Sequence, residues 1–133
     1  MIESRNAALI AWLALEREAV WFYPFVGARV PDVADRARSA ARAHAVTRDR
    51  LLGSVVDDTT TVQPSYDVGT IDTEANASSA ARRLEQRIQA ACLAVVAAST
   101  GDDREVAVSG LRTAATDELG WSGRARAFPG MAD

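Results

Sequence analysis

Hydrophobic residues recur along most of the chain at alternating spacings of three and four, which is the period of an amphipathic α-helix. The first stretch with this period covers about residues 4–29. One of its stripes consists of Leu9, Leu13, Glu16, Val20, Tyr23, Gly27 and Val30. Pro24 lies inside the pattern and lacks a backbone hydrogen-bond donor, so we expect the helix to kink there. Glu16 is the unusual member of the stripe, because its carboxylate falls among residues that should face a core.

Three further stretches have the same period, at about residues 32–56, 73–100 and 103–119. The stripe of the second consists of Ala34, Ala37, Ala41, His44, Arg48, Leu51 and Val55. The stripe of the third consists of Ala77, Ala81, Leu84, Ile88, Ala91, Val95 and Ala98. The stripe of the fourth contains Val108, Leu111, Ala115 and Glu118. Glu85 and Cys92 border the third stripe, and Gly101 is suited to the left-handed conformation that ends many helices.

The segment between the second and third stretches, about residues 57–72, has a different composition. It contains no alanine and is rich in aspartate, threonine and other residues that favour turns and extended chain. The other connections are only a few residues long, which makes the helices that they join antiparallel neighbours. A connection of about 15 residues can extend to roughly 50 Å. The pattern therefore predicts an all-α, ferritin-like four-helix bundle, with a long crossover loop between helices 2 and 3.

Composition narrows the possible classes of protein. The 133 residues and 14.2 kDa suit one domain. The net charge is −3 and all 15 basic residues are arginine, so no strong positive field exists to attract nucleic acid. No apolar run approaches the roughly 18 residues of a membrane span, and the first residues lack a secretion-signal pattern. With Cys92 as the single cysteine, no intramolecular disulfide is possible. We therefore expect a cytoplasmic protein with no nucleic-acid or membrane partner.

Several landmarks of the sequence, taken in order, are similar to those of a known family. They are Ala14–Tyr23, Val26–Arg29, His44 with Arg48 and Asp49, Tyr66, Leu84 with Glu85, Trp121, and Ala127–Gly130. Together they resemble an uncharacterised ferritin-like domain family found in high-GC bacteria. The resemblance covers nearly the whole chain. It implies a ferritin-like four-helix fold that is often paired as a dimer and has no established activity.

The inward polar residues can be compared with the ligands of a paired-metal bundle. Such a site takes one glutamate from each of two helices and a Glu-x-x-His pair from each of the other two. Here both glutamate positions of the pairs are alanine, Ala41 and Ala115, and His44 is the only histidine. We therefore predict no dinuclear centre and no cofactor. A mononuclear site remains possible, with ligands Glu16, His44, Glu85 and Glu118.

A buried polar cluster is the favoured interpretation of the same residues. Its predicted members are Glu16, His44, Arg48 and Glu85. A buried glutamate in an apolar stripe needs a charged or hydrogen-bonding partner, which helix 2 can supply through His44 or Arg48. Such a cluster would set the register of the helices.

Sequence motifs for catalysis are absent from the chain. It contains no phosphate-binding loop, dinucleotide fingerprint, Cys-x-x-Cys pair or His-Glu-x-x-His motif. Cys92 stands among Ile88, Val95 and Val96, which indicates a buried and unreactive thiol rather than a nucleophile. We predict no catalytic residues.

Helix 1 carries more aromatic side chains than one core-facing stripe requires: Trp12, Trp21, Phe22 and Phe25. A monomer rarely exposes a large contiguous apolar patch. We therefore expect a homodimer through these aromatics. In the alternative, the crossover loop covers them with Val62 and Tyr66.

Three functional hypotheses follow. The leading one is a non-enzymatic structural or protein-interaction module. Its rival is a metal-binding protein or metal-dependent oxidoreductase with a degenerate site in the bundle core. A third is a protein that binds a small molecule in the core near Pro24, which requires a pocket with converging polar groups.

Overall fold

The computed structural model describes residues 2–58, 61–122 and 128–131, and every regular element in these ranges is helical. The four α-helices are α1 (Ile2–Arg29), α2 (Ala34–Leu52), α3 (Glu74–Ala98) and α4 (Gly101–Ser122). A single turn of 3-10 helix, Pro31–Val33, joins α1 to α2. The prediction of an all-α four-helix bundle is confirmed. The predicted end of regular structure at Gly123, and Ala127 near the chain end, lie outside the described residues.

The helix ends have local causes in the sequence. Thr73 caps α3: its hydroxyl accepts a hydrogen bond from the backbone N–H of Asn76 at 3.1 Å, while the Asn76 side chain accepts one from the N–H of Thr73 at 3.0 Å. At the start of α4, Gly101 adopts the left-handed conformation, with φ of 61°. The helix α1 continues through Pro24.

The second helix ends at Leu52, four residues before the predicted end at 56. The chain leaves the helix at Gly53, and the backbone of Val56 then pairs with the side chain of Asn6. Two hydrogen bonds of 2.6 and 2.7 Å join these residues. Because this contact needs Val56 to face α1, it is incompatible with continuation of α2.

The helix directions follow from the contacts between them. Glu18 of α1 pairs with Arg87 of α3, whereas Tyr23, later in α1, binds Glu85, earlier in α3. The two helices α1 and α3 are therefore antiparallel. The short 3-10 turn makes α1 and α2 antiparallel as well. Hence α2 and α3 run parallel. The segment between them extends from the contact with Asn6 at one end of α1 to a contact between Tyr66 and Trp21 towards its other end.

Packing is uneven around the bundle. The principal interfaces join α1 to α2, α1 to α3, and α3 to α4. The helices α2 and α4 are joined mainly at one end, where Arg36 donates a hydrogen bond to the carbonyl of Gly120 and lies over the ring of Trp121. Along the rest of their length a cleft separates them. No described helix is long and apolar enough to cross a membrane.

The aromatic residues of α1 are divided between the core and the surface. Trp12 and Phe22 are each 1% exposed and belong to the core. Trp21 and Phe25 are half-buried and stack with ring centroids 4.9 Å apart. Tyr66 of the crossover segment packs on Trp21 at 5.6 Å, whereas Val62 is 71% exposed and covers nothing. Of the two loop residues expected to cover these aromatics, Tyr66 therefore does so in part and Val62 does not.

Candidate functional site

His44 of α2 lies between two buried carboxylates at the centre of the bundle. Its Nδ1 is 2.5 Å from Oε2 of Glu16 on α1, and its Nε2 is 2.8 Å from Oε1 of Glu85 on α3. The three residues are 5%, 2% and 0% exposed, respectively. We call Glu16, His44 and Glu85 the core cluster. It links three of the four helices through charged hydrogen bonds.

The two carboxylates determine the charge of His44. Burial alone would lower the pKa of the imidazole, but hydrogen bonds to Glu16 and Glu85, and the negative charges of both, outweigh burial and raise that pKa from 6.5 to about 10. His44 is therefore an imidazolium at neutral pH, and both of its ring nitrogens donate hydrogen bonds.

Two aromatic side chains complete the surroundings of the core cluster. The indole N–H of Trp12 donates to Oε1 of Glu16 at 2.9 Å, and the hydroxyl of Tyr23 donates to Oε1 of Glu85 at 2.6 Å. The ring of Tyr23 also stacks on that of His44, with centroids 5.4 Å apart. Burial and the charge of Glu85 raise the pKa of Tyr23, which keeps its hydroxyl protonated as a donor. Oε2 of Glu85 is buried and has no hydrogen-bond partner among the described residues.

Arg48, which was predicted to join this cluster, lies outside it. Its side chain is 31% exposed, and its Nε donates to the neighbouring Asp49 at 2.9 Å. Arg48 is one turn beyond His44 on α2, and its long side chain extends to the surface while His44 alone reaches the centre. The prediction is corrected on this point.

Glu118 is buried but is held on the α3 side of α4. Gln89 donates to its Oε1 at 2.8 Å and Gln86 to its Oε2 at 2.6 Å. The acid of α4 that approaches the core cluster is instead the preceding residue, Asp117. One potential ligand atom from each of His44, Glu85 and Asp117 lies within 4.8 Å of the others. Of the mononuclear ligand set inferred from the sequence, His44 and Glu85 belong to this group; Asp117 takes the place of Glu118, and Glu16 is not among its members.

Asp117 is half-buried and makes no hydrogen bond or ion pair with another residue in the described part of the chain. Burial, followed by the charge of Glu85, raises its pKa from 3.8 to about 6, although His44 acts in the opposite direction. The sequence offered one signal for this residue, since Asp117 adjoins the inward Glu118. Which of the two acids faces the cluster depends on a rotation of about 100° per residue around the helix axis.

The cleft between α2 and α4 gives solvent access to this region. It forms a cavity of about 140 Å³. Its apolar walls include Trp12, Ile88 and Val106, and its polar lining includes Glu16, His44 and Asp117. We call this cavity the α2–α4 cleft. It lies on the opposite side of the bundle from the interface between α1 and α3.

Cys92 is buried beneath the same region. Burial is the main cause of a strongly raised pKa of its thiol, and the charges of Glu16 and Glu85 raise the pKa further. The thiol is therefore protonated at neutral pH, which makes it a poor nucleophile.

Comparison with known proteins identifies the family of this chain. The family model for DUF4439, a domain of unknown function, matches residues 8–133. The chain belongs to this family. A solved structure, that of the conserved hypothetical protein rv2844 from Mycobacterium tuberculosis, is similar to it, with 27% identity and a TM-score of 0.82. The match covers 92% of this chain and 98% of that one. A search of curated proteins found no match.

These findings confirm the resemblance to an uncharacterised family. The ferritin-like relationship and the occurrence in high-GC bacteria remain predictions.

In the core cluster, every side-chain polar atom except Oε2 of Glu85 has a hydrogen-bond partner among the described residues. His44 is protonated and both nitrogens are engaged, while Glu16 and Glu85 each accept from two donors in total. The core cluster therefore acts through its electric charges, since three buried charged groups are held in fixed positions next to an open cleft.

Proposed function

We propose that this chain is a non-enzymatic binding module on a ferritin-like bundle, in which the imidazolium of His44 occupies the role that metal ions have in paired-metal bundles. The observation that carries the proposal is the position of His44, with one ring nitrogen on the carboxylate of α1 and the other on that of α3. Parallel α2 and α3 joined by one long connection support the ferritin-like assignment.

The energetics of the core cluster support a structural role for it. Two buried carboxylates repel each other and lose their hydration, so they need a cation with good hydrogen-bond geometry. In a paired-metal bundle, bridging carboxylates surround two ions, and Ala41 and Ala115 stand where two of those acids would be. This bundle has fewer inward acids than a paired-metal bundle, so the single positive charge of His44 takes the place of the two metal ions. The same protonation makes His44 unsuitable as a general base at neutral pH.

Nuclear magnetic resonance of the imidazole nitrogens tests this proposal directly. Because His44 is the only histidine, its ring signals need no assignment. We expect both nitrogens to remain protonated at pH 7 and pH 8, where an exposed histidine is neutral. Elemental analysis of protein purified without chelators is expected to find far less than one metal ion per chain. A neutral imidazole at pH 7, or stoichiometric iron, manganese or zinc, contradicts the proposal.

A mononuclear metal site is the second candidate function, and one observation favours it. Oε2 of Glu85 is buried without a partner, and Glu85 lies with His44 and Asp117 in a group whose ligand atoms are within 4.8 Å of one another. Imidazole and carboxylates suit zinc, manganese and ferrous iron. Binding of a metal by His44 requires loss of a proton, since only a neutral imidazole is a ligand.

Titration with Zn²⁺ separates the two candidates. A metal site predicts tight binding, release of about one proton from His44, and at least tenfold weaker binding by Asp117→Asn. Asp35→Asn, a change of the same kind at a fully exposed aspartate, is the control. Absence of saturable binding, or equal binding by both variants, excludes the metal site.

The proposal retains a homodimer, now limited to the half-buried pair Trp21 and Phe25 because Trp12 and Phe22 belong to the core. Light scattering tests it. A mass of twice 14.2 kDa supports the dimer, and a mass of 14.2 kDa excludes it at the concentration used.

A further inference from the structure

We propose that the α2–α4 cleft binds a small primary ammonium ion on an apolar body, with the ammonium group at Asp117 and the apolar part against Trp12. The inference deepens the proposed function, because it rests on the chain being a binding module and names the class of its ligand.

The size of the cleft limits the ligand. Its volume of about 140 Å³ is close to that of the roughly 150 Å³ engineered cavity that holds benzene. The ligand that fits therefore has about six non-hydrogen atoms. The cleft has this space because α2 and α4 meet mainly at one end, through Arg36.

One wall of the cleft is a fixed aromatic surface. The indole of Trp12 is held by its hydrogen bond to Glu16, and Gly110 allows α4 to approach the ring closely. A Cβ built at Gly110 would lie 2.5 Å from Cζ2 of Trp12. With Ile88 and Val106 nearby, this wall suits an aliphatic or aromatic body, and an indole also attracts a cation near its face.

The charge around the inner part of the cleft is negative. Glu16, Glu85 and Asp117 supply three carboxylates, whereas His44 supplies one positive charge. The single positive charge of His44 lies between Glu16 and Glu85, so it balances only one of the three negative charges. Asp117 has no ion-pair partner among the described residues, and it lines the cleft. Burial is the main cause of the raised pKa of Asp117, about 6, and the charge of Glu85 raises it further. A bound ammonium ion supplies a positive charge beside this carboxylate.

The hydrogen-bonding groups beside Asp117 also suit an ammonium ion. Thr113 and Ser109 precede Asp117 on α4 by four and eight residues and line the same cleft, so their hydroxyls are on one face of the helix. An ammonium ion has three N–H donors, and a carboxylate with an adjacent hydroxyl provides acceptors for them. Arg50 of α2 also lines the cleft, but it forms no ion pair with Asp117 among the described residues.

An organic ammonium ion suits the cleft better than a metal ion for a further reason. It can bind Asp117 while His44 stays protonated and keeps both of its carboxylate partners. A metal bound by His44 displaces a proton that the core cluster holds strongly.

Titration with butylammonium chloride in the presence of EDTA tests the inference. The readout is the indole N–H resonance of Trp12, identified by its loss in Trp12→Phe. We expect a saturable shift with a dissociation constant of about 1 mM, as five heavy atoms allow. Uncharged 1-butanol, which has nearly the same size, is expected to bind at least tenfold more weakly.

Two variants make the test specific. Asp117→Asn keeps the shape of the side chain and is expected to weaken butylammonium binding at least tenfold, without changing the binding of butanol. Asp35→Asn on the exposed side of α2 is expected to bind as the unchanged protein does. No saturable shift, or equal affinity of Asp117→Asn for butylammonium, overturns the inference. This result would refute the ammonium site alone, because EDTA keeps metal ions from affecting the titration. The proposed function is refuted by a different result, namely stoichiometric metal in the purified protein.

Discussion

Gly110 of α4 packs so closely against the indole of Trp12 on α1 that no Cβ fits between them. A Cβ at position 110 would lie 2.5 and 2.7 Å from two ring carbons of Trp12, and 3.1 Å from Sγ of Cys92. The ring cannot move aside easily, because its N–H is bound to the buried carboxylate of Glu16. One glycine therefore determines how closely α4 approaches the centre of the bundle.

Substitution of Gly110 by alanine is expected to destabilise the protein. The added methyl group forces Trp12 or α4 to shift, and overpacking of this kind costs about 1–3 kcal/mol. Urea denaturation measures the change. Gly120→Ala is the matched control, since nothing lies within 4 Å of a Cβ at Gly120 in the same helix. There the higher helix propensity of alanine is expected to add up to about 1 kcal/mol. Equal effects of the two substitutions would contradict the close fit.

Replacement of His44 by glutamine is expected to lower the free energy of unfolding by about 3–5 kcal/mol, because two buried carboxylates are left without their cation. Urea denaturation at pH 7 is the measurement. Arg48→Gln is the control: its side chain pairs at the surface with Asp49, and we expect a loss below about 1 kcal/mol. A small effect at His44, or a larger one at Arg48, would indicate that the arginine and not the histidine neutralises the cluster.

The stability of the protein is expected to fall as pH rises above neutrality. The pKa of His44 is about 10 in the folded protein against an ordinary value of 6.5, so its contribution is complete below pH 6.5 and is lost as pH approaches 10. Between these values the folded state holds one proton more than the unfolded state, which gives a slope of up to about −1.4 kcal/mol per pH unit. Urea denaturation from pH 6 to pH 10 measures the slope. In His44→Gln this part of the slope is expected to disappear, and its persistence there would assign it to another group.

Asp117→Asn is expected to stabilise the protein at pH 7 by about 1 kcal/mol or more. The pKa of Asp117 is raised from 3.8 to about 6, so its effect on stability is most favourable below pH 3.8 and is lost as pH rises through 6. The asparagine stays neutral throughout. Thermal unfolding at pH 4 and pH 7 is the check, and we expect a gain at pH 7 that vanishes at pH 4. An equal gain at both values would point to packing rather than charge.

The periodic pattern was sufficient to predict the helices and the central residues of the site. Glu16, His44 and Glu85 were recognisable because each interrupts or borders an apolar stripe, and a polar side chain at such a position must turn inward with a partner. The start of the third helix at about residue 73 was also visible, since it follows a segment rich in turn-forming residues.

The remaining features depend on contacts between helices. A stripe does not determine whether a long side chain at its edge points inward, so Arg48 was placed in the core although its guanidinium reaches the surface. Asp117 and Glu118 differ by one step around α4, and only packing against α3 selects Glu118 for the glutamines and Asp117 for the cleft. The end of α2 depends on Asn6, 50 residues earlier in the chain.

The partners of His44 come from two halves of the molecule. Glu16 belongs with it to the hairpin of α1 and α2, whereas Glu85 belongs to the hairpin of α3 and α4. The second carboxylate reaches the imidazolium only when the hairpins dock, so the full proton affinity of the ring is a property of the assembled protein. The sole histidine thus acts as a native probe of docking, and its titration during refolding distinguishes a formed hairpin from a completed bundle.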